Sequence, residues 1–257
     1  MKKRIGIGGV ILLLVVGVVI AGVILRNNSQ KIIFQDDGMA TLIAESVGVE
    51  SVDKLRVEDL EKVEMLNIGY TGYYDTLLDI EKCVKLERLV IGEPEYAFCH
   101  YYLRGKEIPE SESKERIEQI ESELGMILKK CPNLKILYIS NKSRNFELNN
   151  LDFLKDGQEM ISLNIEYQSV MDYSIISKCV RLKTLSLYGN DITKLDMITE
   201  LSELNYLNIG KTNVSQAEDI LKLKNLKYLN ITDTPLAENA EQLELIQKQF
   251  PEIDIQK

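Results

Sequence analysis

Leucine or isoleucine takes the first, fourth and sixth places of a six-residue phrase that recurs every 22 residues: Leu182-Leu185-Leu187, Leu204-Leu207-Ile209 and Leu226-Leu229-Ile231. Polar Ser186, Asn208 and Asn230 stand between the fourth and sixth places. Alternation of this kind predicts a short strand, because successive strand side chains point to opposite faces. The same units continue with apolar residues at three-residue spacing, Ile192, Leu195, Ile198 and Leu201 in one and Val214, Ala217, Ile220 and Leu223 in the next. That spacing suits a 3₁₀ or helical turn returning across the back. Self-similarity at a fixed period of about 20 to 30 residues is the mark of a solenoid, whose units each bury one face against their neighbours.

The phrase extends upstream through Met160-Leu163-Ile165, Leu134-Leu137-Ile139, Leu86-Leu89-Ile91 and Val63-Leu66-Ile68. Phe250-Ile253-Ile255 reads as a shortened eighth unit and the closing strand. Stacked in parallel about 4.8 Å apart, these strands form one apolar core. A back bulkier than the strand side bends the stack into an arc with the sheet inside.

The spacing Leu182-Leu185-Leu187-Asn190-Ile192-Leu195-Ile198-Leu201 resembles the 22-residue leucine-rich repeat of bacterial surface proteins of the internalin type. The resemblance implies an α/β solenoid, with a curved parallel sheet inside and short helical or 3₁₀ segments outside. It also implies that Asn190 bonds turn backbone inside the arc, with Thr71, Thr212 and Thr234 in the equivalent places of other units. Its members bind very diverse partners, so it speaks to fold far more than to ligand.

A solenoid exposes core at its ends and needs caps. Asp36-Asp37, followed by Met39, Leu42, Ile43 and Val47 and then Gly48, predicts a capped amphipathic helix ending at a glycine. The run from Arg56 to Lys62 leads into the first strand, which puts the N-terminal cap at residues 36–62 and the repeats at 63–257. Leu243, Leu245 and Ile246 sit in a predicted helix before Phe250, within a C-terminal cap at about 238–257.

Before the cap, Lys2, Lys3 and Arg4 precede an uncharged run from Ile5 to Leu25. As a helix it would be about 31 Å long, close to the roughly 30 Å hydrocarbon thickness of a bilayer. The basic flank predicts a cytoplasmic N-terminus, an extracytoplasmic repeat domain and a short linker at 26–35. That linker reaches at most about 35 Å at about 3.5 Å per residue, which favours a membrane-proximal envelope protein as partner. A cleaved signal peptide is the alternative, with Val19-Ile20-Ala21 at cleavage-type spacing and a secreted or surface adhesin as its product.

The repeat pattern breaks once. The interval between phrases starting at 86 and 134 is 48 residues, with no phrase between. Glu93 to Pro109 holds Tyr96, Phe98, His100, Tyr101 and Tyr102, and Ser111 to Lys130 reads as a helix with Ile117, Ile120, Leu124, Ile127 and Leu128 on one face. This predicts an insertion in the second unit at about 93–130: a loop from the strand end, then a long helix along the back. The aromatics Tyr96, Phe98, Tyr101 and Tyr102 either pack the loop on the arc or meet a ligand.

Charge and chemistry narrow the function. Forty acidic against 31 basic side chains give a net charge of −9, which argues against a nucleic-acid partner. The one histidine, His100, has only Cys99 beside it, and no metal spacing, phosphate loop or nucleophile–base pair is visible. No cofactor, no metal and no catalytic activity are expected. Cys83, Cys131 and Cys179 each fall three residues before a phrase, where Leu201 and Leu223 stand later, so they read as core residues on the back. Cys83 and Cys131, in adjacent units, are within disulfide reach, and free buried thiols are the other reading.

What is left is the inner face. Its central column is Asn67, Val90, Tyr138, Asn164, Ser186, Asn208 and Asn230, flanked by Tyr206 and Tyr228 on one side and Glu166 and Tyr188 on the other. Tyrosine among asparagine and serine supplies large anchors with adaptable hydrogen bonds. Tyr138, Tyr188, Tyr206, Tyr228, Asn164, Asn208 and Asn230 are therefore the expected contacts for a protein or glycan partner; a ladder that only solvates the sheet is the alternative.

Overall fold

The computed structural model describes residues 32–92 and 111–257. Eight parallel strands lie in strict sequence order: β1 (Met65–Gly69), β2 (Arg88–Ile91), β3 (Ile136–Ser140), β4 (Ser162–Glu166), β5 (Thr184–Ser186), β6 (Tyr206–Asn208), β7 (Tyr228–Asn230) and β8 (Asp254–Gln256). The predicted register is the observed one from β1 to β7, except at the end of β1, where an irregularity pairs Gly69 instead of Ile68 with Ile91. Leu66, Leu89, Leu137, Leu163, Leu185, Leu207 and Leu229 pair in turn across the sheet. Together with the sixth-place residues, they lie in a core that runs unbroken through the stack. Removing one such leucine side chain from mid-stack would cost about 2–5 kcal/mol.

The eighth unit departs from the expected register. Ile255 pairs with Leu229 and so takes the fourth place of its phrase, not the sixth. A strand's side-chain period is two, so a slip of two residues leaves every side chain on its expected face and is invisible to pattern alone.

Between strands the chain returns through 3₁₀ turns at Leu78–Lys82, Asp152–Asp156, Ser174–Lys178, Asp196–Ile198, Ile220–Lys222 and Pro235–Glu238. Leu195, Ile198 and Leu201 of one unit and Val214, Ala217, Ile220 and Leu223 of the next are buried, as their spacing predicts. Cys83 and Cys179 close two of these returns, Cys131 closes the helix Lys114–Lys130 that forms the back of the second unit, and all three are free and buried. Burial pushes the Cys83 and Cys131 thiols up to about 12 and that of Cys179 to about 11, which leaves them protonated and inert at neutral pH.

The N-terminal cap is latched onto the first repeat. Helix α1 (Asp37–Ser46) starts at Asp36, whose Oδ1 accepts the Met39 N–H at 2.7 Å, and ends before Gly48 at φ +72°. A one-turn helix α2 (Val57–Leu60) leads into β1. Asp36 Oδ2 accepts the Asp75 N–H at 2.6 Å. In return Asp79, fully buried on the first 3₁₀ return, accepts the Gln35 and Asp36 N–H groups at 2.8 and 2.9 Å and Lys82 Nζ at 2.7 Å. Asp219 repeats this device four residues before Leu223, taking the Leu195 N–H and Lys222 Nζ.

In the second unit the back is a 17-residue helix, α3 (Lys114–Lys130), capped by Ser113 accepting the Arg116 N–H. Ile117, Ile120, Leu124, Ile127 and Leu128 face the core as predicted. Its glutamates do not all face water, however: Glu121 and Glu123 are buried. Glu123 accepts the Leu77 N–H and the Thr76 hydroxyl, and Glu121 accepts the Asn149 and Asn150 N–H groups and the Asn150 side-chain amide. A helix placed where its neighbours have short turns leaves their N–H groups unpaired, and these two carboxylates satisfy them. At the far end, α4 (Ala240–Gln249) buries Ile246 and half-buries Leu243, while Leu245 turns to solvent. Among the described residues no helix is long and apolar enough to cross a membrane; the expected span at 5–25 lies outside them.

Candidate binding face

Three columns of side chains run across the open face of the sheet. Pairing places Tyr138 beside Asn164, Asn164 beside Ser186, and then Asn208 and Asn230 in the central column. Asn67, Val90, Ser186 and the predicted contact Asn230 are buried in this column, which leaves Tyr138, Asn164 and Asn208 partly accessible. Tyr206 and Tyr228 are paired in the first column. Their rings stack 4.5 Å apart and within 5° of parallel, and the Tyr228 hydroxyl donates to Gln256 of the last strand. Burial and the neighbouring Tyr228 raise the Tyr206 phenol above its usual value, so it stays a hydrogen-bond donor.

The asparagines have a second occupation. Asn208 Oδ1 accepts the Gly210 N–H at 3.1 Å, and Asn230 Oδ1 accepts the Thr232 N–H at 2.9 Å. Asn67 does the same for Gly69 at 3.0 Å. Each closes the turn that ends its own strand, a local bond that asparagine makes readily. Asn164 has its Oδ1 buried without a partner instead.

Tyr188 lies in the third column, away from the stacked pair. Its ring meets Tyr167 edge-on at 5.5 Å, with Lys211 Nζ 5.7 Å from its centroid. Both tyrosines lie over glycines of the next unit. A Cβ on Gly189 would fall 2.6 Å from the Tyr167 ring, and one on Gly210 would fall 2.7 Å from the Tyr188 ring. Tyr167, Gly189, Lys211 and Asp233, spaced by 22 residues, all have positive φ, at 54°, 74°, 53° and 57°. Each of β4 to β7 is therefore followed by a left-handed residue, and only one of these four is a glycine.

Glu166, by its spacing one member of the third column, is the hub that joins the columns. Its Oε2 accepts the Tyr138 hydroxyl at 2.8 Å and its Oε1 accepts the Ser186 hydroxyl at 2.6 Å. Burial raises its pKa above the usual carboxylate range, against the pull of these two hydroxyls. The available signal was its uniqueness: across β1 to β7 it is the one carboxylate in the three columns, with Arg88 as the one cation.

Behind the face, Asn190 donates to the Ile165 carbonyl at 2.7 Å and accepts the Gln168 N–H at 2.7 Å, the turn bonding its position implied. Thr212 and Thr234, with shorter reach, donate within their own units to the Ile209 and Ile231 carbonyls. Thr71 differs: its hydroxyl donates to Glu112, just before α3. Gln168 and Asn141, absent from the predicted set, serve the same purpose by accepting the Leu148 and Phe146 N–H groups. An unpredicted cluster of Tyr70, Tyr73 and Tyr74 follows β1 edge-to-face, with centroids 5.7 and 6.4 Å apart.

Tyr96, Phe98, Tyr101 and Tyr102 lie outside the described residues, as do Cys99 and His100. Among the described residues no group of three metal-ligating side chains comes together.

No protein-family model matches the chain, and no curated protein matches it. Solved structures do. Internalin C2 from Listeria monocytogenes aligns over 87% of this chain and 83% of its own, with 19% identity and a TM-score of 0.59. An internalin F from the same organism aligns over 87% and 82%, with 15% identity and a TM-score of 0.42. A leucine-rich-repeat protein of Leptospira interrogans aligns over 78% and 62%, with 16% identity and a TM-score of 0.32. The first of these likenesses, the eight parallel strands in sequence order and the unbroken leucine ladder agree: this chain has the leucine-rich-repeat fold.

Proposed function

We propose that this chain is a binding scaffold that captures a protein partner on the open, concave face of its repeats. The observation that carries the reading is the stacked pair Tyr206 and Tyr228, half-exposed on strands whose core is complete without them. Large rigid aromatics of this kind bury much area at small entropic cost, which is why they dominate binding hot spots. Tyr138 and Tyr188 extend the surface to either side. In this reading residues 5–25 hold the scaffold in a membrane as a single span, with residues 26–35 as the tether and the repeats outside the cytoplasm. The partner is then a bacterial envelope protein close to the bilayer, and the protein acts by binding, without catalysis.

Photo-crosslinking in intact cells from a reactive side chain placed at Asn208, between the tyrosines, tests the binding face. A discrete adduct is expected, and it should vanish when Tyr138, Tyr188, Tyr206 and Tyr228 are all changed to alanine in the folded protein. An adduct that survives those four changes defeats the reading. The anchor is tested separately by the N-terminus of the mature chain: one that begins near Gly22 rules out a retained span.

A further inference from the structure

Glu166 is a buried carboxylate, 7% exposed, on a stretch of the face whose strand neighbours on β3 and β5 are neutral. Its two side-chain partners are the hydroxyls of Tyr138 and Ser186, so each carboxylate oxygen keeps a free lone pair. Ser140 precedes it in the third column, paired across β3 and β4 and 1% exposed, and its Oγ has no hydrogen-bond partner. Asn164, two residues before Glu166 on the same face, has a buried Oδ1 that is also unpaired. Buried polar atoms are nearly always satisfied, so two orphans beside one carboxylate mark a place where a ligand's donors belong.

Three of the atoms at this place, the two Glu166 oxygens and Asn164 Oδ1, can only accept hydrogen bonds, and Ser140 Oγ accepts as well. None of the salt bridges of the described residues reaches Glu166; Arg88 stands two strands away, and Lys211 is engaged on the Tyr188 ring. Tyr138, bonded to Glu166, borders the place with aromatic surface, which attracts cations through the ring face. The net charge of −9 draws a basic partner toward the chain at long range.

We propose that the Glu166 site receives a cationic side chain of the protein partner, an arginine or a lysine, seated on the Glu166 carboxylate with Asn164 Oδ1 and Ser140 Oγ as further acceptors. This rests on the proposed binding face and names the chemistry of its centre. Burial already holds the carboxylate above its usual range, and an arriving cation supplies the charge that the site lacks. The guanidinium offers five donors in a planar fork and so can meet several of these acceptors at once.

The test uses the full-length chain as bait for a displayed library of linear peptides, with Glu166→Gln and Tyr206→Ala/Tyr228→Ala as comparison baits. Melting curves for each bait establish folding. The expected result is a set of selected peptides sharing one arginine or lysine, with binding weakened at least tenfold by Glu166→Gln and by replacing that basic residue with citrulline or norleucine. Peptides that lose binding to the tyrosine variant but bind Glu166→Gln as tightly as the original overturn the cation and leave the binding face standing. Peptides that bind all three baits equally, or no selected peptides at all, overturn both.

Discussion

Two sets of buried carboxylates sit on opposite sides of this sheet. On the back, Asp79, Glu121 and Glu123 each accept at least one backbone N–H from a neighbouring segment, and Asp79 has Lys82 as well. On the open face, Glu166 accepts two side-chain hydroxyls, no backbone N–H and no cation. A backbone N–H in a solenoid return has nowhere else to go, so the back carboxylates stabilise the folded chain by satisfying it. Glu166 satisfies no backbone group, and the hydroxyls of Ser186 and Tyr138 offset its desolvation only in part. The same side chain type thus marks structure on one side and readiness for a partner on the other.

That contrast is most exposed at Asp79. Asp79→Ala should lower stability by about 3 kcal/mol, since it orphans two N–H groups and a partly buried lysine. Urea unfolding followed by circular dichroism measures it, and a loss below about 1 kcal/mol would show that the cap is held by packing alone. Glu121→Ala should cost about 2 kcal/mol, because it leaves the Asn149 and Asn150 N–H groups unpaired.

Glu166→Gln should act in the opposite direction and raise the melting temperature near neutral pH. The sign follows from a folded-state pKa raised above the ordinary 4.5. Stability linked to this group is complete below its unfolded value and is lost as pH rises through the folded one. The gap between Glu166→Gln and the original protein should therefore widen from acid to neutral pH; a gap that narrows would place Glu166 with the back carboxylates. The smallest effect is expected at Lys211, whose φ of 53° is strained for a side chain. Lys211→Gly should gain under about 1 kcal/mol, the strain relieved less the added freedom of the unfolded chain.

Much of the architecture was legible because a leucine ladder reports the register directly. Leu185, Leu207 and Leu229 could be assigned to one column from spacing alone, and Asn190 to the turn behind it. The eighth unit was misplaced by two residues because that slip preserves alternation. Glu121 and Glu123 were unreadable for a different reason: a helical pattern tells which residues face the core, not which long polar chains reach sideways to a neighbour's turn. Glu166 lay in plain view within its column, but its bonds to Tyr138 and Ser186 join three strands, and no spacing within one segment encodes that. Gln168 fills the asparagine place with a longer side chain, and Asn141 does its work from one position earlier, so neither matches the repeat's asparagine by type and spacing together.

The pairing of Tyr167 with Gly189 and of Tyr188 with Gly210 bears on how such an array can change in length. A unit carrying Tyr188 must be followed by one with glycine at the matching place. Copied in tandem, the fifth unit would present its own tyrosine to its twin, ring against ring where there is room for a hydrogen atom. Neighbouring links are therefore keyed to one another, as a lock's wards are to a single cut. Growth of this array by duplicating that link would require a compensating change in the same step, which makes the order of the units, and not only their number, part of what is inherited.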